Sequence, residues 1–165
     1  MIYKTSLDNL AKAISTGISI LFAAILYGHF VSIKEIGLFI PILLAIVLGG
    51  SYLLAFLYRP LHYELRGDIL IVHRLLNDVI IQRVTIQSVE LVAKEQLSST
   101  VRVFGVGGLF GYFGKFSNKQ MGSMQWYATR RDKTVLIKTI AGKKIIVTPD
   151  EATAFVNYFQ QSLHQ

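Results

Sequence analysis

Two long uncharged segments near the N-terminus constrain this chain more than any other feature. Residues 13–33 and 36–58 contain no Asp, Glu, Lys or Arg. A helix needs about 20 apolar residues to cross a hydrocarbon core of about 30 Å, and both segments reach that length. The sequence therefore predicts a transmembrane helical hairpin within residues 1–59, with two antiparallel spans joined by a short connection over Val31–Gly37.

Two other interpretations of these segments are less favourable. Two buried helices of a water-soluble protein would consume more than a quarter of a 165-residue chain. A cleavable signal peptide would have an apolar region of only about 7–15 residues, and here a second apolar segment follows at once. The overall charged fraction of 16% is also well below the roughly 25% of an ordinary soluble domain.

The distribution of Lys and Arg around the spans predicts their orientation. Lys4 and Lys12 precede the first span, Arg59 and Arg66 follow the second, and Lys34 is the only basic residue between them. Because basic flanks stay on the cytoplasmic side, both termini and the C-terminal domain are expected to be cytoplasmic.

Residues 60–165 predict a β-rich domain with one terminal helix. Short runs of strand-forming residues alternate with turns such as Leu75–Asp78, which indicates a largely antiparallel meander. The seven predicted strands are Leu61–Leu65, Ile69–Arg74, Val79–Arg83, Val89–Glu95, Gln125–Arg130, Thr134–Thr139 and Ile145–Thr148. A helix-start signature at Thr148-Pro149-Asp150-Glu151 predicts a helix over residues 149–162. The expected fold class is α+β: a helical hairpin, then a seven-stranded antiparallel sandwich or open barrel capped by that helix.

The domain resembles the bacterial pleckstrin-homology-like (PH-like) domain family over roughly residues 60–163. The segments that carry the resemblance are Arg102–Gly105, Gly107–Phe116, Trp126-Tyr127-Ala128-Thr129-Arg130, and Thr148-Pro149 ahead of a helix containing Phe155. The resemblance implies the seven-stranded fold with its C-terminal helix, and a domain that follows membrane helices in a bacterial inner membrane. It implies no chemistry. The first hairpin loop, Arg66-Gly67-Asp68, has one basic residue beside an acid, unlike the basic loops of phosphoinositide-binding domains of this fold.

A glycine- and aromatic-rich stretch over Phe104–Phe116 is the most unusual part of the domain. Its glycine spacing fits neither a dinucleotide-binding fingerprint nor a phosphate-binding loop. One hypothesis is a loop that rests on the membrane or on a partner. Its contact residues would be Leu109, Phe110, Tyr112, Phe113, Lys115 and Phe116. The alternative is structural, with glycines permitting tight turns while the aromatic side chains fill the core.

Basic residues on two predicted hairpins are candidates for contact with an anionic surface. They are Arg130, Arg131, Lys133, Lys143 and Lys144. Anionic lipid would attract such a group, and the alternative is an ordinary solvated cytoplasmic face. Nucleic acid is not an expected partner, because the domain has no recognisable nucleic-acid-binding motif and follows a membrane anchor.

Catalytic and metal sites have little support in the sequence. No cysteine is present, and no nucleophile or carboxylate pair has a spacing typical of catalysis. His62 and His73 are predicted to face each other across the first hairpin with Glu64 nearby, either as a histidine–carboxylate metal site or as polar residues of an exposed strand face.

These observations predict a non-enzymatic, membrane-anchored domain without cofactor or metal. It would bind another membrane protein, a second copy of itself or anionic lipid at the cytoplasmic face. The alternative is an accessory subunit of a lipid-processing enzyme or transporter, or a lipid-headgroup-binding protein.

Overall fold

A computed structural model describes residues 1–32 and 37–163, with side chains described as far as residue 160. The α-helices within these residues are α1 (Asn9–Val31), α2 (Phe39–Leu57) and α3 (Ala152–Leu163). Both α1 and α2 are long and apolar enough to cross a membrane. Most of the predicted connection between them falls on residues 33–36, which lie outside the described residues.

Ten strands form two sheets in the described part of the chain. The first sheet has the order β1-β2-β3-β4, and the second has the order β5-β9-β10-β8-β7-β6. The strands of the first sheet are β1 (Ile2–Lys4), β2 (Pro60–Arg66), β3 (Ile69–Arg74) and β4 (Val79–Gln82). Those of the second are β5 (Ile86–Val92), β6 (Val101–Gly108), β7 (Gly111–Asn118), β8 (Gly122–Ala128), β9 (Thr134–Thr139) and β10 (Lys144–Val147).

The α+β fold class is confirmed, and three strands are found beyond the seven predicted. These are β1, β6 and β7. In addition, β8 and β10 pair in parallel, so the second sheet is not wholly antiparallel. The helix α3 begins at Ala152 rather than at residue 149. Thr148 lies four residues ahead of the start of α3, and its hydroxyl accepts a hydrogen bond from the Thr129 N–H at 2.9 Å.

The strand β1 ties the residues ahead of the first helix to the β domain. It pairs antiparallel with β2, so that Tyr3 lies opposite Tyr63. The Tyr3 side chain is 5% exposed and packs edge-on against Phe155 of α3, with ring centroids 5.1 Å apart. The N-terminal strand is therefore a part of the domain's first sheet.

The second sheet separates two hydrophobic cores. One core lies between this sheet, the first sheet and α3, and includes Tyr63 and Phe155. The other core covers the opposite face of the second sheet, where Trp126 stacks on Phe116 at 4.7 Å. Ala11 in the first turns of α1 is fully buried in this second core. One side of the start of α1 therefore packs against the β domain, while the other side is exposed.

The glycine-rich stretch is a β-hairpin, β6–β7, rather than a loop. Gly105 and Gly114 lie opposite each other, with φ angles of +110° and +119°. A Cβ atom on Gly105 would lie 2.3 Å from the Phe113 carbonyl oxygen, and one on Gly114 would lie 2.4 Å from the Phe104 carbonyl oxygen. The two backbones approach so closely that only glycine fits at this pair of positions.

Candidate functional site

The end of the β domain from which α1 and α2 emerge is the candidate functional site, and we call it the helix-facing end. It comprises the start of α1, the end of α2, the β3–β4 turn at residues 75–78, the β6–β7 turn at residues 109–110, and the segment 129–133. Contacts among these five segments fix how the domain meets the two helices.

The start of α1 is fixed by Asp8, which caps the helix and also binds the domain. The Asp8 carboxylate accepts a hydrogen bond from the Ala11 N–H at 2.7 Å, as a helix cap does. It accepts others from the Arg131 N–H at 3.1 Å and from the Tyr112 hydroxyl at 3.2 Å. Burial, followed by the negative charge of Asp8, raises the pKa of Tyr112 to about 12. Tyr112 therefore remains a neutral donor at physiological pH.

The β6–β7 turn lies against both helices. The Ser15 hydroxyl of α1 accepts a hydrogen bond from the Phe110 N–H at 2.8 Å. The Phe110 ring packs edge-on against Tyr52 and Phe56 of α2, at centroid distances of 5.0 and 5.4 Å. Tyr52 in turn shares a hydrogen bond with Ser19 of α1 at 2.7 Å. The β6–β7 turn therefore contacts both α1 and α2, in addition to the contacts that Asp8 makes at the start of α1.

The six candidate contact residues of the glycine-aromatic stretch separate into three groups. Leu109 and Phe110 form the turn at the helices and are partly exposed. Lys115 is exposed halfway along β7, opposite Gln125. The remaining three side chains are buried in the domain and fill its interior; they are Tyr112, Phe113 and Phe116. The three buried side chains therefore serve the interior of the domain, and contact with a membrane or a partner stays a prediction for Leu109, Phe110 and Lys115.

The end of α2 carries aromatic and basic side chains. The Arg59 guanidinium lies 4.2 Å from the centroid of the Phe56 ring, and the Arg74 guanidinium lies 5.2 Å from that of the Tyr58 ring. Leu76 of the β3–β4 turn donates its N–H to the Leu57 carbonyl at 3.0 Å. Aromatic rings and arginines at the end of an apolar helix are typical of a membrane–water boundary.

The five candidate basic residues do not form one patch. Arg130 is paired with Asp132 and Asp150, and Lys133 donates to the Asp150 carbonyl. Lys143 and Lys144 lie at the β9–β10 turn, a six-residue strand away, which is roughly 20 Å. There the Lys144 ammonium donates to the Met121 carbonyl at 2.6 Å.

A different group of cations comes together at the start of α1. Lys12, Lys94 and Arg131 line one hollow there, together with Asp8 and Asp132. In the portion of the chain that the structure describes, none of the three cations forms an ion pair. The sequence identified Lys12 only as a residue that flanks the first span, and it gave no indication of Lys94. Lys94 is 82 positions after Lys12 and is brought near it by the segment that follows β5.

The predicted pair of histidines is present, and Asp78 joins it. His62 and His73 stack with centroids 4.4 Å apart. His73 lies between two carboxylates, with Nε2 at 2.9 Å from Glu64 and Nδ1 at 2.8 Å from Asp78. Among the residues with described positions, no group of three His, Asp or Glu side chains is arranged to hold a metal ion. The cluster instead links β2 to the β3–β4 turn.

This cluster predicts a loss of stability in mild acid. Burial, followed by the charge of His73, lowers the pKa of His62. The unfolded chain therefore binds a proton at His62 more readily than the folded chain, so stability falls as the pH decreases below about 6.5. We expect His62→Gln to flatten this decline in thermal unfolding measured from neutral to mildly acidic pH. An unchanged pH dependence in the variant would contradict the assignment to His62.

The comparisons with known proteins agree with this architecture. A family model described as a bacterial PH domain matches residues 61–163, which comprise the chain from β2 to α3. No curated protein and no solved structure matches the chain. The family match covers more than half of the 165 residues. The chain belongs to the bacterial PH domain family.

Proposed function

We propose that this protein is a non-enzymatic, membrane-anchored interaction module whose β domain binds a partner at the cytoplasmic face of the membrane. The observation that carries the proposal is the junction of α1 with the domain. In the first two turns of α1, Ala11 and Ser15 are buried against the β domain, whereas the rest of α1 and nearly all of α2 expose apolar side chains. The domain is thus built directly onto two helices suited to lipid.

The exposure of the helices favours a bilayer over a protein interior. The buried residues of α1 are Ala11 and Ser15, and that of α2 is Ala55. A core helix of a soluble protein would be mostly buried. Leaving apolar area in water costs about 25 cal/mol per Å², so two exposed apolar helices are strongly unfavourable without lipid around them.

The distribution of charge supports a cytoplasmic position for the domain. Lys12, Arg59, Arg74, Lys94 and Arg131 all lie at or beside the helix-facing end. In the sequence, Lys34 is the one Lys or Arg between the two helices. This asymmetry follows the positive-inside rule.

A reporter fused to the C-terminus tests the proposed orientation. An alkaline phosphatase fusion should be inactive, and a green fluorescent protein fusion should be fluorescent, because the former needs export and the latter folds in the cytoplasm. An active phosphatase fusion with a dark fluorescent fusion would place the domain on the other side and contradict the proposal.

Anionic lipid headgroups are a second candidate for the partner. The hollow formed by Lys12, Lys94 and Arg131 lies beside the point where α1 leaves the domain. Each Lys or Arg near an anionic surface contributes about 1 kcal/mol of attraction. The contact would require no movement of the domain, since α1 already fixes this end of it.

Ligand-induced stabilisation tests the headgroup contact. In a mild nonionic detergent, added phosphatidylglycerol should raise the unfolding temperature more than phosphatidylcholine does, because a ligand that binds only the folded state stabilises it. The triple variant Lys12→Gln, Lys94→Gln, Arg131→Gln should lose this difference. The control Lys119→Gln, Lys143→Gln removes cations from the opposite end and should retain it. Equal stabilisation by the two lipids in the unaltered protein would exclude the headgroup contact.

A further inference from the structure

The β3–β4 turn presents two leucines to the surroundings. Leu75 and Leu76 are 48% and 38% exposed in this turn of residues 75–78, in which Asn77 has a φ angle of +59°. Water-exposed turns favour Gly, Asn, Asp, Ser and Pro, because these residues satisfy or permit the turn backbone. A Leu-Leu pair at this position needs an apolar environment to be favourable.

The turn lies beside the last residue of α2. The Leu76 N–H donates to the Leu57 carbonyl at 3.0 Å, and this carbonyl is one of the final four of the helix that have no partner within it. Leu53 and Leu54, about one helical turn earlier, are exposed as well. The two turn leucines therefore continue the apolar surface of α2 beyond its end.

Polar contacts hold the turn in this conformation. The Arg74 N–H donates to the Asp78 carboxylate at 2.9 Å, and the Arg74 guanidinium donates to the Asn77 carbonyl at 2.7 Å. Asp78 also contacts His73 at 2.8 Å. These contacts occupy the polar groups on both sides of the leucines, so the exposure of Leu75 and Leu76 is built into the turn.

We propose that the β3–β4 turn inserts Leu75 and Leu76 into the boundary between the lipid headgroups and the acyl chains, as a contact of the domain with the bilayer beside α2. The proposal rests on the proposed membrane anchorage of α1 and α2. Lipid is the occupant that fits, because the leucines adjoin the exposed apolar end of α2 and lie beside Arg74, which stacks on Tyr58 at that end. The domain would then meet the membrane at three places, which are α1, α2 and the β3–β4 turn. These three contacts together fix the tilt of the domain relative to the membrane.

Spin labelling of the full-length protein tests this contact, and the absence of cysteine allows single labels to be introduced. Leu75→Cys would carry a nitroxide in vesicles of phosphatidylcholine and phosphatidylglycerol. Ile140→Cys is the matched control, since Ile140 is a 71% exposed apolar residue at the β9–β10 turn of the opposite end. Ala23→Cys, on an exposed position midway along α1, is the reference for a membrane span.

Oxygen partitions into lipid, whereas a nickel chelate stays in water. We expect the label at Leu75→Cys to collide more often with oxygen than with the nickel chelate. We expect the label at Ile140→Cys to collide more often with the nickel chelate than with oxygen. A label at Leu75 that resembles Ile140→Cys would overturn the inserted turn while Ala23→Cys still reports lipid. A label shielded from both reagents would indicate a protein contact and would also overturn it. If the label at Ala23→Cys collides mainly with the water-soluble chelate, α1 does not lie in lipid. That result would contradict the proposed membrane anchorage itself, and it is distinguishable from a failure of the inserted turn.

Discussion

Gly114→Ala should lower the free energy of unfolding by about 4 kcal/mol, which is a large part of the stability of a small domain. The φ angle of +119° at Gly114 is strained for any residue with a side chain. The added Cβ would lie 2.4 Å from the Phe104 carbonyl oxygen and 2.8 Å from the Gly105 Cα. Both are backbone atoms of β6, so they cannot move aside without breaking the hairpin.

Gly107→Ala is the matched control in the same hairpin. Its new Cβ would meet nothing closer than the Arg102 side chain at 3.5 Å, which is an ordinary contact. We expect a change within about 0.5 kcal/mol. Denaturant titration in detergent, followed by the fluorescence of the single buried Trp126, measures both variants. Equal stabilities for the two variants would show that the close approach of β6 and β7 is absent in solution.

Tyr3→Ala should lower the free energy of unfolding by about 3 kcal/mol or more, because it removes a buried aromatic side chain from the first core. The Tyr3 ring contacts Phe155 of α3, so its removal leaves a cavity between β1 and the helix.

Ile2→Ala serves as the control on the same strand. Ile2 is 63% exposed and points to the opposite face from Tyr3, so its truncation should change stability by no more than about 0.5 kcal/mol. The same titration compares the two variants. A negligible effect of Tyr3→Ala would mean that β1 does not pair with β2, and that the residues ahead of α1 only lead into the helix.

The apolar helices and most strands were predictable because their patterns are local. A run of uncharged residues identifies α1 and α2, and alternating residues between turns identify strands such as β3 and β9. The hairpin β6–β7 was missed because its five glycines resemble a loop, and only the pairing of Gly105 with Gly114 explains them. The strand β1 was missed because three residues ahead of a helix carry too little pattern to indicate pairing with β2.

The site depends on contacts between distant segments, and less of it was predictable. Leu75–Asp78 was predicted as a turn, but its place beside Leu57 follows from the fold of the first sheet. Arg130 has one of its carboxylate partners, Asp132, two residues away in the sequence, whereas the other, Asp150, is brought next to it only by the fold. The junction of α1 with the domain likewise depends on Ala11. Nothing in the local sequence distinguishes this alanine, and only the fold shows that it is buried in the second core.

Cysteine accessibility in sealed membranes tests most directly the central claim that α1 and α2 cross the bilayer and hold the domain at its surface. Single variants Ala23→Cys, Ala45→Cys and Ile140→Cys would be treated with a membrane-impermeant maleimide in inside-out vesicles. The first two should remain unlabelled until a denaturing detergent is added, while Ile140→Cys should be labelled at once. Rapid labelling of Ala23→Cys and Ala45→Cys in intact vesicles, at the rate of Ile140→Cys, would contradict the account.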